Sequence, residues 1–261
     1  MDLAHIKKTG LDAAKNSADV LLSYFGNIKT VRKKGAIDIV TQADTESEKI
    51  IIKTIRSVFP DHGIIAEESG ESFLNSDYCW IIDPLDGTTN FSHGLPLYAI
   101  SIAFAVRHEV MMGIVFNPST GELFTGVKGM GATLNGQPIS VSKTDSLDDS
   151  LLATGFPYNL RDMIDPLLIR FRTMLNHAQG VRRLGAAALD LCYVACGRFE
   201  GFWEQNLKPW DTAAGALIAS EAGGVVTDFS NNAFRVDMKE ILVTNGKIHK
   251  QMMSLIALGE K

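Results

Sequence analysis

Cysteine is scarce in this sequence, which has three such residues among 261: Cys79, Cys192 and Cys196. Three thiols cannot form a disulfide framework, and an odd number is typical of a protein in a reducing compartment. A secretory signal is missing as well, because residues 1–27 have helical periodicity but no uninterrupted apolar stretch and no small-residue cleavage site. We therefore expect a cytoplasmic protein.

Long hydrophobic runs are also missing. The longest apolar stretch, residues 97–116, is interrupted by Arg107, His108 and Glu109. A membrane helix needs about 20 consecutive apolar residues, so we interpret this stretch as a pair of strands. We expect no membrane partner.

Positive charge is in short supply, with 25 Lys and Arg against 30 Asp and Glu and a formal net charge of −5. A dedicated nucleic-acid binder usually carries a broad basic surface, so this balance argues against that class of partner. An acidic protein can still handle phosphate if its carboxylates hold metal ions, because bound Mg²⁺ reverses the local charge.

Several common catalytic motifs do not occur in the chain. No Gly-x-Ser-x-Gly segment provides a serine nucleophile, and the six histidines have no spacing typical of zinc ligands. Residues 129–131 lack the strand–turn–helix context of a nucleotide-binding loop, so we expect a hairpin loop there.

Periodicity predicts a layered α/β fold, with hairpins in the first half and alternating strands and helices in the second. Asp44 or Thr45 is the expected N-cap of the second helix. We predict one unit over residues 1–261, with two possible lobes meeting near residues 135–150. The predicted helices are 3–25, 44–59, 166–177, 186–195, 212–221 and one from 247, and the predicted strands are 64–66, 80–82, 99–106, 111–116, 122–127, 200–203, 224–227 and 241–243.

The segment WIIDPLDGTTNF, residues 80–91, carries the strongest functional signal. An apolar strand leads to Asp83 and Asp86 on either side of a proline, and a helix can begin at Gly87-Thr88. Mg²⁺ prefers hard oxygen ligands and is usually held by carboxylates, waters and substrate phosphate. Backbone N–H groups at a helix start can bind an anion. Asp-Pro and Asp-Gly are also ordinary turn dipeptides, but the complete run favours a metal site.

Further acidic residues follow predicted strands or begin predicted helices. Glu67 and Glu68 follow the strand IIA, and Asp211 stands at the start of a helix of small residues. Asp38 and Asp44 form another acidic pair in DIVTQAD. Solvated glutamates and simple helix caps are the structural alternatives for these positions.

These segments together resemble the inositol monophosphatase family. WIIDPLDGTTNF and WDTAAGALIASEAGG are similar to its two signatures, and DIVTQAD and IIAEESG to two further recurring elements in the expected order. The resemblance covers nearly the whole chain, including the RRLGAAALD, GFWE, LNGQPI and ATGFP segments. It implies a layered α-β-α-β-α sandwich, Mg²⁺-dependent hydrolysis of myo-inositol monophosphate, inhibition by Li⁺, and a homodimer.

The resemblance implies two to three Mg²⁺ ions. Glu67, Asp83 and the Leu85 carbonyl would hold the first ion, and Asp83, Asp86 and Asp211 the second. Glu67 would also help to hold a third, looser ion.

The resemblance also assigns roles in catalysis. Thr88 and Glu67 would position the attacking water, with Asp44 hydrogen-bonded behind Thr88. The Gly87 and Thr88 amides would bind phosphate oxygens.

At the leaving-group end, the resemblance implies that Glu204 and Asp211, with backbone near Gly185 and Ala187, contact the substrate. Ala186 stands where several relatives carry a hydroxyl residue, which leaves the details of sugar recognition open. The expected partner is therefore a small phosphorylated polyol or sugar.

Several alternatives remain. Some relatives hydrolyse fructose 1,6-bisphosphate, and histidinol phosphate or a nucleotide 3′-phosphate are other possible substrates. A bisphosphate would need extra cations, which Arg170, Arg182 or Arg183 could supply. A regulatory binding protein that retains the fold is the alternative from another class, although clustered acids without cations are costly to maintain.

Overall fold

The computed structural model describes residues 2–26, 31–33, 39–72, 76–157 and 164–257. Asp38 lies outside these residues. The helices are α1 (Leu3–Tyr24), α2 (Gln42–Val58), α3 (Thr88–Ser92), α4 (Ile164–Leu175), α5 (Ala187–Ala195), α6 (Pro209–Glu221) and α7 (His249–Ile256). None of the helices in these ranges is both long enough and apolar enough to cross a bilayer.

The first large sheet has eight strands in the order β10-β9-β8-β7-β6-β5-β3-β4. Neighbouring strands in this sheet are antiparallel, except for β3 and β5, which are parallel to each other. A separate two-stranded sheet pairs β1 (Val31–Lys33) with β2 (Ile39–Thr41). The strands of the large sheet are β3 (Gly63–Ala66), β4 (Gly70–Ser72), β5 (Tyr78–Asp86), β6 (Ala99–Val106), β7 (Glu109–Asn117), β8 (Glu122–Val127), β9 (Ala132–Leu134) and β10 (Gln137–Pro138).

The second sheet has five strands, in the order β12-β11-β13-β15-β14. Strand β11 is parallel to both of its neighbours, and β15 is antiparallel to both of its own. The strands are β11 (Leu151–Thr154), β12 (Gly180–Arg182), β13 (Gly201–Gln205), β14 (Val225–Thr227) and β15 (Glu240–Thr244).

Alternating side chains of the strands form the interfaces between layers. Trp80 and Ile82 of β5 pack with α1 and α2, whereas Ile81 faces the other core, with α5 and α6. Phe202 of β13 belongs to that same middle core, while Trp203 packs towards α4 and α7. The layers are therefore α1/α2, the eight-stranded sheet, α5/α6, the five-stranded sheet and α4/α7, which confirms the predicted α-β-α-β-α sandwich.

The middle core contains residues of both sheets, such as Ala103 and Phe202. The first sheet ends at Pro138 and the second begins at Leu151. The shared core supports one unit over residues 1–261, which stays a prediction, as does a boundary between lobes near residues 135–150.

The predicted start of the second helix is wrong. The N-cap of α2 is Thr41, whose Oγ1 accepts from the Ala43 N–H at 3.1 Å. Asp44 is the third helical residue, and its Oδ2 accepts from the Thr41 N–H at 2.8 Å. A hydroxyl residue followed three positions later by an acid forms a capping box, which outcompetes a later start.

The interrupted apolar stretch forms the hairpin of β6 and β7, as expected. Its turn residues Arg107 and His108 have φ values of 49° and 70°. Two consecutive left-handed residues match the twist of a two-residue hairpin turn. Strand β7 then meets α6 so closely that a Cβ on Gly113 would lie 2.6 Å from the Ala214 carbonyl oxygen.

Candidate active site

A cavity of about 410 Å³ lies beyond the end of β5 and beside the starts of α3, α5 and α6. It brings together every residue to which the family resemblance assigns a role except Asp44, which is buried behind Thr88. The predicted residues in its lining are Glu67, Asp83, Leu85, Asp86, Gly87, Thr88, Gly185, Ala187, Glu204 and Asp211.

The parallel pairing of β3 and β5 places Glu67 beside Asp83. Ala66 pairs with Ile82, and the next residue, Glu67, donates its N–H to the Ile82 carbonyl at 3.2 Å. Because the carboxyl ends of parallel strands lie at the same edge of a sheet, the two acids reach the same end of the cavity. Both glutamates of IIAEES are partly exposed.

Strand β5 changes its register against β6 between Asp83 and Asp86. The Asp83 Oδ1 accepts from the Leu85 N–H at 2.9 Å, which fixes the turn. A bulge of this kind redirects side chains at the end of a strand. Both aspartates line the cavity as a result, although both are buried.

Gly87 connects this turn to α3 in a conformation that favours glycine. Its φ is +87°, and a Cβ there would lie 2.8 Å from the Leu97 carbonyl oxygen and 3.2 Å from the Ala186 Cβ. A side chain at this position would therefore clash as well as strain the backbone. The helix begins at Thr88, as the sequence predicts.

The Thr88 hydroxyl is held from behind the cavity. Its Oγ1 donates to the Asp44 Oδ1 at 2.9 Å or to the Leu85 carbonyl at 3.0 Å. Burial raises the pKa of Asp44, while hydrogen bonds from Thr41 and Thr88 oppose that rise. Since a hydroxyl has one proton, Thr88 keeps its lone pairs available to accept from a water in the cavity.

Asp86 and Asp211 also stabilise the helices next to them. The Asp86 Oδ2 accepts from the Ala188 N–H in α5 at 2.7 Å. Asp211 is the third residue of α6, and its Oδ2 accepts from the Lys208 N–H at 2.7 Å. The capping alternative for Asp211 is therefore correct in part: it stabilises a helix start, although the N-cap itself is Lys208, and it lines the cavity too.

Three residues near the cavity were not predicted individually, although they stand in segments that resemble the family. The Asn90 Nδ2 donates to the Leu97 carbonyl at 2.7 Å and to the Leu184 carbonyl at 2.8 Å, and so links two loops around the cavity. Asn90 stands inside the segment WIIDPLDGTTNF, so that segment was the available signal. Gly155 and Phe156, in ATGFP, line the cavity near Glu204.

Of the three arginines considered for a second phosphate, Arg183 lines the cavity. Its guanidinium carbon lies 6.0 Å from the centre of the Phe156 ring. Arg170 is buried, donates to Gln205 and lies over the ring of Phe229. Arg182 is not part of the cavity lining and donates to the Val181 carbonyl.

Negative charge accumulates in the cavity. Burial raises the pKa of Asp83 well above its usual range, and the carboxylates of Glu67, Asp86 and Asp211 raise it further. Burial raises the pKa of Asp86 to about 7, against the effect of the Ala188 N–H. The shifts show that these carboxylates are poorly stabilised by the surrounding protein.

Two further acids interact with this group: Glu204, which lines the cavity, and Asp190, which is buried. Burial raises the pKa of Glu204 to about 8, with Asp211 and Asp86 adding to the rise and Arg183 opposing it. Burial and then Glu204 raise the pKa of Asp190 in the same way. Neither carboxylate oxygen of Asp190 has a hydrogen-bond partner within the part of the chain that the structure describes.

The oxygen-rich cavity fits a hard divalent cation. The donors are carboxylates and a backbone carbonyl, and their mutual repulsion is what a cation would relieve. No three acidic, histidine or cysteine side chains in the described ranges already form a ready ligand shell. That finding is compatible with Mg²⁺, which is usually bound by one or two carboxylates and completes its octahedron with waters and substrate phosphate.

Several known proteins have sequences similar to this one over most of its length. The model of the inositol monophosphatase family matches residues 2–258. An inositol-1-monophosphatase from Synechocystis is 45% identical over 239 residues, which are 91% of this chain and 83% of the relative. A protein named Nus factor SuhB from Pseudomonas aeruginosa is 41% identical in an alignment of 253 positions that covers 94% of this chain and 93% of the relative.

A solved structure agrees with the fold. The inositol monophosphatase from Anabaena superposes with a TM-score of 0.90 at 39% sequence identity. The match covers 99% of this chain and 97% of the Anabaena chain.

Proposed function

Because the chain belongs to the inositol monophosphatase family, we propose that it is a Mg²⁺-dependent phosphatase that hydrolyses myo-inositol monophosphate to inositol and phosphate. The observation that supports this most strongly is the cavity in which the two buried carboxylates of β5 meet Glu67 and Asp211. Such a group of acids is unfavourable by itself and becomes favourable when cations bind.

Five residues would hold two to three Mg²⁺ ions. They are Glu67, Asp83, the carbonyl of Leu85, Asp86 and Asp211. The Leu85 carbonyl has two lone pairs, so it can accept from Thr88 and still face an ion. When bound, Mg²⁺ neutralises phosphoryl oxygens, lowers the pKa of a bound water and stabilises the departing alkoxide.

The protein's own groups would position the nucleophile. Thr88, with its proton directed to Asp44 or to the Leu85 carbonyl, can accept a hydrogen bond from the attacking water. Glu67 would hold the same water from the other side. The backbone N–H groups of Gly87 and Thr88 would donate hydrogen bonds to phosphate oxygens. The phosphorus would therefore lie between these N–H groups and the acidic side chains of the cavity.

The leaving group would occupy the other end of the cavity. Glu204 suits neutral hydroxyls, which can donate to its oxygens, and it would repel a phosphate placed there. Gly185, Ala187 and Asp211 line the same cavity as Glu204. These groups favour a polyol over an apolar alcohol.

Other phosphomonoesters remain rivals for the physiological substrate. Fructose 1,6-bisphosphate is favoured by Arg183 and Lys208 in the cavity lining, because each could receive a second phosphate. The test is a substrate panel with detection of free phosphate, comparing myo-inositol monophosphate, fructose 1,6-bisphosphate, histidinol phosphate and a nucleotide 3′-phosphate. A clear preference for any of the last three would replace the inositol assignment and leave the phosphatase assignment intact.

A second role as a regulatory binding protein is favoured by one observation: the Pseudomonas aeruginosa relative is named a Nus factor. The separating variant is Asp86→Asn, which keeps the shape of the side chain and loses a proposed metal ligand. If this variant does not turn over substrate but still complements cells from which the gene for this protein has been deleted, the second role gains support. If only the wild type complements these cells, the enzymatic role is enough to explain the requirement for the protein.

We further propose that the protein is a cytoplasmic homodimer that Li⁺ inhibits. All three cysteines are free, which suits a reducing compartment. Sedimentation at several concentrations tests the dimer. A phosphate-release assay with increasing Li⁺ tests the inhibition.

A further inference from the structure

Helix α2 directs three buried polar side chains towards the segments that carry the proposed metal ligands. Asp44, Ser47 and Glu48 lie on its first two turns and are nearly inaccessible to solvent. Asp44 contacts Thr88, as described above. The other two side chains contact backbone groups next to Asp83 and Glu67.

Glu48 holds the backbone immediately after Glu67. Its Oε2 accepts from the Glu68 N–H at 2.8 Å, across 20 positions of sequence. Burying a carboxylate is costly unless it is hydrogen-bonded, and a bond from an N–H group to a charged acceptor is among the stronger ones in proteins. The contact therefore fixes the path of the chain as it leaves β3.

Ser47 holds the turn that carries Asp83. Its Oγ donates to the Pro84 carbonyl at 2.9 Å and lies 2.6 Å from the Ser17 Oγ of α1. A hydroxyl has one proton, so Ser47 must accept from Ser17 if it donates to Pro84. The hydrogen bonds then run in one direction, from α1 through α2 to the backbone between Asp83 and Leu85.

We infer that Glu48 is a positioning residue that fixes Glu67 relative to the Asp83 turn, with Ser47 as its counterpart on the β5 side. Because one rigid helix holds both segments, the separation of the two groups of metal ligands is set by α2. The inference rests on the proposed function, because the separation affects catalysis only if these residues bind metal ions. The contacts themselves do not depend on it.

Two conservative substitutions of Glu48 separate the effect of side-chain length from the effect of charge. Glu48→Gln keeps the length of the side chain, and its amide oxygen can still accept from the Glu68 N–H. Glu48→Asp keeps the charge but withdraws the carboxylate by one methylene. Glu46→Ala is the matched control, because this acid lies on the same helix and its Oε1 accepts from Gln42 instead.

The measurements are Mg²⁺ affinity by calorimetry, amide hydrogen exchange at Glu68 and the melting temperature. Removal of a group that orients a metal ligand typically lowers metal affinity or activity by 10- to 100-fold. We expect Glu48→Asp to weaken Mg²⁺ binding about tenfold or more and to speed exchange at Glu68. Glu48→Gln should lie closer to wild type on both readouts, and Glu46→Ala should match wild type.

The opposite order, with Glu48→Gln impaired and Glu48→Asp unchanged, would overturn the inference, because charge and not reach would then matter. Unchanged exchange and affinity in Glu48→Asp would overturn it as well. If wild type bound no Mg²⁺, the proposed function would be contradicted. Exchange at Glu68 would still decide whether Glu48 holds this segment.

Discussion

The carboxylate of Glu204 lies directly against the backbone of Gly155. A Cβ added to Gly155 would be 1.9 Å from the Glu204 Oε2 and 2.1 Å from its Cδ. Gly155 follows β11, and Glu204 lies within the neighbouring parallel strand β13, in which Trp203 pairs with Thr154 of β11. A missing side chain at Gly155 thus creates the space that Glu204 occupies at the edge of the cavity.

This relationship predicts that Gly155→Ala displaces the Glu204 carboxylate without unfolding the protein. The φ of Gly155 is outside the left-handed region, and the atoms in the way are the end of a flexible side chain. We expect kcat/KM for myo-inositol monophosphate to fall by roughly 10- to 100-fold, which corresponds to the loss of hydrogen bonds to a charged group. Kinetics with this substrate and with p-nitrophenyl phosphate, which has no polyol hydroxyls, provide the measurement.

A double variant controls this prediction. Gly155→Ala combined with Glu204→Gln should be no worse than Glu204→Gln alone, because both changes remove the same contact. Additive losses would show that Gly155 acts through another group.

Glu204→Gln should itself discriminate between substrates. Above about pH 8, where the Glu204 carboxylate is ionised, its hydrogen bonds to substrate hydroxyls contribute about 1.5–3 kcal/mol. We expect kcat/KM for the inositol ester to fall by roughly 10- to 100-fold, with hydrolysis of p-nitrophenyl phosphate barely changed. Equal losses for both esters would mean that Glu204 supports the metal site or the fold.

Thr88→Ala should slow turnover while metal binding persists. The variant keeps every carboxylate and removes the hydroxyl proposed to orient the water. Positioning and general-base groups typically contribute ~10²–10⁴-fold, so kcat should fall within that range. Ser92→Ala is the control, because its Oγ on the same short helix donates to the Thr89 carbonyl. Normal turnover in Thr88→Ala would assign the positioning of the water to Glu67.

The pH dependence of stability should reverse its usual direction in the metal-free protein. The pKa of Asp86 rises from 3.8 to about 7 on folding, and that of Glu204 from 4.5 to about 8. A group whose folded pKa is raised binds more protons when folded, so its contribution is present below the unfolded pKa and lost as the pH rises through the folded pKa. We expect the melting temperature in EDTA to fall between about pH 5 and pH 9.

Mg²⁺ should remove much of this fall, since it replaces the protons as the counter-charge. Asp86→Asn should make the metal-free profile less steep, because the amide does not titrate while Glu204 still does. A metal-free melting temperature that rises over the same range, or an unchanged profile in Asp86→Asn, would contradict the electrostatic account of the cavity.

Periodicity predicted a layered α/β fold, whereas the order of the layers and most of the site residues were implied by the family resemblance. Asp83 and Asp86 were also predictable from a contiguous pattern. The strand WII and the residues DPLDG are adjacent in the chain, so β5 carries Asp83 and Asp86 to the same place by local geometry. The parallel pairing of β3 with β5 then adds Glu67. The start of α2 was mispredicted because two N-terminal signals, at Thr41 and at Asp44, overlap within one turn.

Contacts between distant positions had no such local signal. Asn90 reaches the Leu184 carbonyl across 94 positions, and nothing in either segment specifies the other. Glu48 is one of three acids in the run DTESEK, and the sequence does not show that Asp44 and Glu48 are buried while Glu46 is more exposed. Gly155 contributes the absence of a side chain, which becomes meaningful only when Glu204 is placed against it.

The most direct test of the central claim is phosphate release from myo-inositol monophosphate, measured in EDTA and then with added Mg²⁺. Asp86→Asn and Asp211→Asn are compared with Asp77→Asn, an exposed acid paired with Arg107. We predict no turnover in EDTA, recovery with Mg²⁺ for wild type and Asp77→Asn, and a loss of most of kcat in the two site variants with their folds intact. Full activity in EDTA, or in either site variant, would contradict the proposed metal-dependent mechanism.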